Sequence, residues 1–239
     1  MKVLNFGSLN LDYVYSVDHM VMPGETLASG GMNTFCGGKG LNQSIALAKA
    51  GVPVYHAGMI GEEGGALLDA CKEGGVKTDF IKTIPGKSGH TIIQVDKDGQ
   101  NCILLFGGAN RSITKEFVDE VLSHFEEGDI LLLQNEVNLL DYIINKAYEI
   151  GMVIILNPSP YNNALDVCEF QKVSMFLLNE IEGGQVTGET ETEKILEKLK
   201  ELYPETKVVL TLGGEGSIYQ YKEEQYRQGI YKVKAVDTT

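Results

Sequence analysis

The sequence predicts an α/β fold in which helices cover both faces of a mostly parallel sheet, with a small second sheet beside it. A first strand is predicted at residues 3–7, and continuous apolar runs at 130–134 and 153–157 alternate with amphipathic segments. This alternation is typical of buried parallel strands that are connected by helices. The β-prone segments 12–17, 26–35 and 90–106 break the rhythm and indicate a separate, antiparallel sheet.

The other elements follow in order along the chain. Strands are predicted at residues 54–60, 175–178 and 207–212. Helices are predicted at residues 42–51 and 64–75, and a third, charged helix has one apolar stripe made of Ile195, Leu196, Leu199, Leu202 and Tyr203. All of these elements fit one α/β domain over residues 1–239.

The segment 96–99 (DKDG) is a strong hairpin turn between strands at residues 90–95 and 101–106. Two interpretations of this hairpin remain open. The hairpin, with the strands at 12–17 and 26–35, can form a flap that acts as a lid over a ligand. Alternatively, it forms the edge of the main sheet.

Composition narrows the classes of function. The formal net charge is −13, with 33 acidic and 20 basic residues, so nucleic acid and anionic membranes are unfavourable partners. The cysteines Cys36, Cys71, Cys102 and Cys168 form no CxxC pair and are expected to be reduced thiols. No leader pattern opens the chain and no apolar run approaches the ~20 residues of a membrane span. We expect a soluble, cytoplasmic protein.

The glycine-rich segment 37–43 (GGKGLNQ) directly precedes a predicted helix. Glycines allow the backbone to approach a ligand, and the start of a helix offers free N–H groups. It is not a Walker A loop, because Asn33 and Gly40 stand where a glycine and a Ser or Thr are required. A purely structural tight turn is the alternative.

Other polar candidates lie at the carboxyl ends of predicted strands. Asn10 and Asp12 follow the first strand, Glu136 follows 130–134, and 211–216 (TLGGEG) ends another. The segment 179–182 (NEIE) combines a helix cap with an acidic first turn, and capping alone would explain it. For 211–216, the alternative is that its glycines only form a hairpin turn.

The histidines His19, His56, His90 and His124 have no metal-binding spacing and are expected in surface or packing roles.

Taken in order, these segments resemble the ribokinase family of sugar kinases from end to end. The resemblance is carried by the segments 7–12 (GSLNLD), 23–26 (PGET), 37–43, 107–110 (GGAN), 134–136 (QNE), 157–160 (NPSP), 179–182 and 211–216. The sequence departs from the family at Leu41, where a small alanine is usual, and at 61–64 (GEEG), which replaces a G-x-D-x-x-G-like stretch.

The resemblance implies a three-layer α/β sandwich with a β-sheet lid that binds a sugar beneath the lid and ATP along the sheet edge. It implies sugar contacts by Asn10, Asp12, Gly38, Lys39, Asn42 and Glu136. It implies nucleotide contacts by Asn179, Thr211, Gly213, Gly214 and Gly216, Mg²⁺ near Glu182, and K⁺ at Asp237 and the carbonyl of Thr239. Separately from the resemblance, we expect a second copy of the chain as a partner, bound through the lid sheet, because exposed sheet edges invite pairing.

The implied activity is ATP-dependent phosphorylation of the primary hydroxyl of a pentose, with D-ribose first. Deoxyribose, a nucleoside, another small sugar, or sugar binding without catalysis are the alternatives. The segment 235–239 (AVDTT) resembles the start of the family's D-T-x-G-A-G-D signature, whose later residues supply the anion hole and the base. We therefore assign no catalytic residue within 1–239, and expect a polypeptide that ended at Thr239 to be inactive or poorly folded.

Overall fold

The computed structural model describes residues 1–232, which form two sheets and the helices around them. The strands are β1 Val3–Phe6, β2 Asn10–Ser16, β3 Gly31–Gly37, β4 Val54–Ile60, β5 Lys77–Thr83, β6 Gly89–Val95, β7 Asn101–Phe106, β8 Ile130–Gln134, β9 Val153–Asn157, β10 Met175–Asn179, β11 Lys207–Thr211, β12 Ser217–Tyr221 and β13 Glu224–Gln228. The helices are α1 Lys39–Lys49, α2 Gly65–Glu73, α3 Lys115–Leu122, α4 Leu140–Ile150, α5 Glu180–Thr187 and α6 Thr192–Leu202.

The large sheet has nine strands in the order β13-β12-β11-β10-β9-β8-β1-β4-β5. All pairings from β11 to β5 are parallel, and only β12 and β13 are added antiparallel. The predicted strands at 54–60, 130–134 and 153–157 have the observed bounds. Continuous apolar runs identified the strands at 130–134 and 153–157, because a parallel strand is buried on both faces.

Two hydrophobic clusters lie on opposite faces of the large sheet. Leu4 and Phe6 of β1 belong to the larger cluster, whereas Val3 of the same strand belongs to the smaller one. Successive side chains of a strand point to opposite faces. Helices α3, α4 and α6 pack into the larger cluster, and α1 and α2 into the smaller. These three layers confirm the predicted α/β sandwich.

The larger cluster is centred on fully buried aromatic and aliphatic side chains. Phe6 is fully buried and meets the ring of Phe117 edge to face, with the ring centroids 5.7 Å apart. Burial of such a side chain contributes roughly 1.5–3 kcal/mol of stability. The packing fixes α3 against β1, and the loops at the end of β1 therefore have a rigid base.

The second sheet, which we call the lid sheet, has four strands in the order β3-β2-β6-β7. β2 pairs antiparallel with β3, and β6 with β7, but the central pair β2–β6 is parallel. The prediction of an antiparallel sheet is wrong for that pair. β2 follows β1 and β6 follows β5, so both strands leave the same edge of the large sheet and run in the same direction.

The lid strands also differ from their predicted bounds. The strand expected at 12–17 begins at Asn10, and the one expected at 26–35 occupies Gly31–Gly37. Residues 17–30 form a loop instead. The predicted turn at 96–99 joins β6 to β7, which pair with each other, and β6 pairs with β2 rather than with the main sheet. The edge-hairpin alternative is therefore excluded.

Within residues 1–232, none of the helices has both the length and the apolar character that crossing a membrane requires.

Candidate functional site

The polar segments singled out in the sequence meet at one edge of the large sheet. Gln134 ends β8 beside Asn157 of β9, and Asn179 ends β10 beside Thr211 of β11. The carboxyl ends of parallel strands share an edge, which is where open α/β sheets bind ligands. The lid sheet starts from the same edge, because only three residues separate the end of β1 from the start of β2.

Helix α1 is held very close to this edge by its first residues. Gly38 has φ 98°, a left-handed conformation that favours glycine. A Cβ on Gly40 would lie 2.4 Å from the backbone nitrogen of Ser8, so only glycine fits there. The segment 37–43 therefore has a structural role in packing. That role also explains why α1 begins at Lys39 rather than at the predicted residue 42.

The first N–H groups of α1 are not free, which corrects an expectation from the sequence. The backbone N–H of Lys39 donates to Oε2 of Glu136 at 3.0 Å. The N–H of Gly40 donates to the hydroxyl of Ser8 at 3.2 Å, and the N–H of Leu41 to the Ser8 carbonyl at 3.0 Å. Side chains at this helix start, rather than its amides, are thus available to a ligand.

A cavity of about 390 Å³ lies between the lid sheet and the start of α1. We call it the lid cavity. It is lined by Asn10, Asp12, Gly38, Lys39, Asn42, Thr91, Ile93, Ile103, Leu105, Glu136, Ser159 and Pro160. All six residues expected to contact a sugar lie in this lining. Its walls are apolar on the side of β6 and β7 and polar on the side of β2 and α1.

Three polar side chains of the lid cavity, those of Asn10, Asp12 and Glu136, are held by neighbours. Asn10 is buried, and its Oδ1 accepts a hydrogen bond of 2.7 Å from Nδ2 of Asn110. Oδ1 of Asp12 accepts one of 2.5 Å from the hydroxyl of Thr91. Glu136 accepts from the hydroxyl of Ser8 through Oε2. These contacts leave the Nδ2 group of Asn10 as a donor and further carboxylate lone pairs as acceptors for a ligand.

Burial raises the pKa of the Asp12 carboxyl above its usual value of 3.8. The hydrogen bond from Thr91 opposes this shift, and the nearby charge of Glu136 adds to it. Desolvation and a like charge both disfavour the ionised form of a carboxyl group. Two carboxylates in one cavity would repel an anionic ligand and favour a neutral one with several hydroxyl groups.

A second cavity of about 330 Å³, the strand-end cleft, adjoins the first along the sheet edge. It is lined by Lys39, Asn42, Gln43, Asn157, Ser159, Leu177, Leu178, Asn179, Glu182 and Thr211. Lys39, Asn42 and Ser159 line both cavities. A ligand in the strand-end cleft would therefore lie directly beside a ligand in the lid cavity, as the transfer of a group between two molecules requires.

Asn179 and Glu182 form a capping box at the start of α5. Oδ1 of Asn179 accepts from the N–H of Glu182 at 2.8 Å, and Oε2 of Glu182 accepts from the N–H of Asn179 at 3.0 Å. The capping interpretation of 179–182 is therefore correct. Both side chains also line the cleft, so the Asn179 Nδ2 group and one Glu182 oxygen can serve a ligand as well.

The remaining predicted residues are not brought together in the cleft. Gly213, Gly214 and Gly216 lie in or beside the short turn between β11 and β12, outside the lining of the cleft. This arrangement agrees with the hairpin interpretation of 211–216. Asp237 and Thr239 lie outside the described residues. Over residues 1–232, no group of three or more His, Cys, Asp or Glu side chains is arranged to hold a metal ion.

A buried polar network under α1 was not identified from the sequence. His56 is fully buried, with Nδ1 2.8 Å from the Ser44 hydroxyl and Nε2 3.2 Å from the Gly7 carbonyl. Ser44 also accepts from Asn5, whose Oδ1 accepts from Gln134. Burial lowers the pKa of His56 from 6.5 to about 4, so its ring is neutral. The packing role expected for this histidine is confirmed.

Thr91 and Asn110 were also missed as residues of the site. In the sequence, Thr91 is an ordinary β-branched residue of a predicted strand, and it belongs to none of the motifs. Asn110 closes the segment 107–110, which was noted only for its resemblance to a segment that follows the lid. The order of that segment in the chain was the only available signal.

Comparison with known proteins shows related sequences and structures over the whole chain. A family model described as "pfkB family carbohydrate kinase" matches residues 1–239. A ribokinase of Staphylococcus aureus (strain COL) is 33% identical over 251 residues, covering 100% of this chain and 81% of the relative. A deoxyribokinase of Salmonella typhi is 27% identical over 248 residues, covering 100% and 81%. The structure of Arabidopsis thaliana ribokinase complexed with ribose and ATP superposes with a TM-score of 0.82 at 26% identity, covering 98% of this chain and 80% of that one.

Proposed function

This chain belongs to the pfkB family of carbohydrate kinases, and we propose that it transfers phosphate from ATP to the primary hydroxyl of a pentose, D-ribose first. The single observation that carries the proposal is the gathering of Asn10, Asp12, Gly38, Lys39, Asn42 and Glu136 in one lid cavity. A relative of 33% identity that carries the name ribokinase supports the choice of sugar.

The chemistry of the lid cavity supports a small polyol as its ligand. Asp12 and Glu136 can accept hydrogen bonds from sugar hydroxyls, and Asn10, Lys39 and Asn42 can donate to them. The apolar side chains of Ile93, Ile103 and Leu105 would cover the carbon side of the ring. A pentose has a volume well below the roughly 390 Å³ of the cavity, which leaves space beside it for the reacting phosphate.

The strand-end cleft is the proposed nucleotide site. Asn179 and Thr211 would contact the phosphate side of ATP, and Lys39, at the boundary of the two cavities, would face both reactants. The turn at Gly213, Gly214 and Gly216 would meet the nucleotide beyond the cleft. Positioning and neutralisation of charge supply most of the catalysis in phosphoryl transfer. A single lysine between the two ligands suits that task.

Mg²⁺ is part of the proposal, because the phosphates of ATP bind it together with few protein carboxylates. Glu182 is the carboxylate of the strand-end cleft, and one of its oxygens is free of the capping box. A lone carboxylate fits a magnesium ion that is held mainly by phosphate and water. The ion would neutralise charge on the transferred phosphoryl group. The K⁺ expected at Asp237 and Thr239 stays a prediction.

Deoxyribose is the second candidate substrate, supported by the 27% identical Salmonella typhi protein named deoxyribokinase. The two sugars differ by one hydroxyl, so the lid cavity must decide between them through a single hydrogen-bonding position. We favour ribose because the cavity offers two carboxylates, which require hydroxyl donors.

A second copy of the chain is the proposed partner, with the cytoplasm as the proposed location. β7 is an edge strand of the lid sheet, and Ile103 and Leu104 are 56% and 67% exposed. Exposed apolar edge strands favour pairing with another chain. A partner lid would cover this strand and narrow the entrance of the lid cavity.

The proposed function is tested by measuring ADP release from Mg-ATP with D-ribose, 2-deoxyribose, a hexose and a nucleoside in parallel. We expect the highest kcat/KM with D-ribose. Turnover of a hexose or nucleoside while ribose stays inert would overturn the pentose assignment and leave the kinase assignment in place.

A further inference from the structure

Thr91 contacts the carboxylate on which the proposed sugar recognition depends. Thr91 in β6 lies directly opposite Asp12 in β2, and their side chains share the face that lines the lid cavity. The Thr91 hydroxyl donates to Oδ1 of Asp12 at 2.5 Å, and the residue is only 8% exposed. A charge-assisted hydrogen bond of this length is among the stronger contacts available to a side chain.

The Asp12 carboxylate is also confined on its other side. A Cβ added to Gly37 of β3 would lie 1.9 Å from Oδ2 of Asp12, so the carboxylate occupies the space that a side chain at position 37 would fill. The carboxylate is thus enclosed between the hydroxyl of Thr91 and the backbone of β3. Only the lone pairs that these neighbours leave unused can accept from a ligand in the cavity.

Glu136, the second carboxylate of the cavity, is fixed by other groups. Its Oε2 accepts from the hydroxyl of Ser8 and from the backbone N–H of Lys39. Neither contact involves the lid sheet. Substitution of Thr91 therefore changes the setting of Asp12 and leaves the setting of Glu136 intact.

We propose that Thr91 is a specificity-determining residue, which holds the Asp12 carboxylate so that it meets one particular hydroxyl of the sugar. This inference rests on the proposed function, in which Asp12 binds the substrate. A site built to bond a hydroxyl rejects the analogue that lacks it, because a buried group is then left unpaired. Such rejection requires a carboxylate that cannot turn to another partner. Thr91 supplies that constraint.

The test compares wild-type protein with T91V, which removes the hydroxyl at nearly constant shape, and with T91S, which keeps it. Calorimetry gives the affinity of each protein for D-ribose, 2-deoxyribose and 3-deoxyribose. Wild-type protein should discriminate more strongly against one of the two deoxy sugars than against the other. T91V should lose about tenfold in ribose affinity and a similar factor of that discrimination, whereas T91S should stay within about threefold.

The pH dependence of ribose affinity is a second readout that a merely structural role would not change. The Thr91 hydrogen bond lowers the pKa of Asp12. As the pH falls, T91V should therefore lose ribose affinity at a higher pH than wild-type protein does, whereas T91S should behave like wild-type protein. Glu136 and Lys39 share the cavity with Asp12, and Cys36 lies beside it on β3. All three are the same in every variant.

If T91V discriminated between ribose and the deoxy sugars as wild-type protein does, and lost ribose affinity at the same acidic pH, the role of Thr91 would be overturned while the proposed function stands. If T91V does not fold, Thr91→Ala removes the same hydroxyl from a smaller side chain and is judged by the same two readouts. A wild-type protein that binds no pentose would instead overturn the proposed function, and this inference with it.

Discussion

Nδ2 of Asn110 donates to Oδ1 of Asn10 across 2.7 Å, although 100 residues separate the two in the chain. Oδ1 of Asn110 in turn accepts from the backbone N–H of Leu9 at 3.0 Å, and both asparagines are buried. Asn110 therefore fixes which end of the Asn10 amide faces the lid cavity. The amide orientation determines whether residue 10 donates to or accepts from a ligand.

Replacement of Asn110 by aspartate should weaken sugar binding. The variant keeps the acceptor for Leu9 but places a carboxylate oxygen against Oδ1 of Asn10, so the Asn10 amide must turn and present the wrong group. We expect ribose affinity to fall about tenfold by calorimetry. Asn145→Asp on α4, whose Oδ1 accepts from Nζ of Lys172 outside the lid cavity lining, is the matched control and should bind ribose normally. Equal affinities in both variants would contradict the role of Asn110.

Ribose affinity should also decline as the pH falls. Burial raises the pKa of Asp12 in the folded protein, so the acceptor form is lost at a higher pH than for an ordinary aspartate. By linkage, ionised Asp12 costs stability at neutral pH, and that cost diminishes as the pH falls through the folded-state pKa. Titrations with ribose over a pH series check this. Asp12→Asn should bind ribose weakly, and its affinity should lack the decline with falling pH that is due to Asp12. The same decline in this variant would contradict the assignment of that pH dependence to Asp12.

Acid should destabilise the fold through His56. Its pKa is about 4 in the folded state and 6.5 ordinarily, because burial disfavours the charged ring. Since the folded pKa is depressed, the unfolded chain binds more protons between these values, and stability falls as the pH drops from 6.5 towards 4. The difference corresponds to roughly 3 kcal/mol. Urea unfolding of His56→Gln should lack this dependence.

The matched control for His56 is His19→Gln, at a largely exposed position in the loop before β3. It should retain the full pH dependence of the wild-type protein. If His56→Gln and His19→Gln showed the same dependence, protonation of other groups would account for it, and the buried network under α1 would have no part.

Association through the lid should depend on Leu104. A charge there would be buried without a partner when two β7 strands meet, so Leu104→Asp should shift the protein to monomers in light scattering with size exclusion. Leu202→Asp on α6, where Leu202 is 39% exposed, is the control and should leave the mass of the assembly in solution unchanged. A monomeric wild-type protein, or a dimeric Leu104→Asp variant, would contradict pairing through β7.

Much of the large sheet could be predicted from the sequence because burial leaves a local signal. The bounds of β8 and β9 follow from their continuous apolar runs, which are typical of buried parallel strands. The pairing of β2 with β6 could not be predicted in the same way. It depends on where two distant segments leave the large sheet, and no residue in either strand encodes that direction.

The site was predictable to the extent that its residues follow strand ends in recognisable order. Asn10, Asp12 and Glu136 were found in this way and line one cavity. Thr91 and Asn110 were not found, because each acts through a hydrogen bond to a residue far away in the chain. The amides of α1 were wrongly expected to be free, since the contacts of Ser8 and Glu136 arise only from tertiary packing.

The central claim is that the lid cavity is the sugar site, and Asp12→Ala tests it most directly. We expect this variant to lose ribose affinity by about 10–100-fold in calorimetry, as for the loss of a hydrogen bond to a charged group. Its melting temperature should remain near that of Asp98→Ala, a control on the exposed 96–99 turn. Unchanged ribose affinity in Asp12→Ala, with a folded protein, would contradict the claim and place the sugar elsewhere.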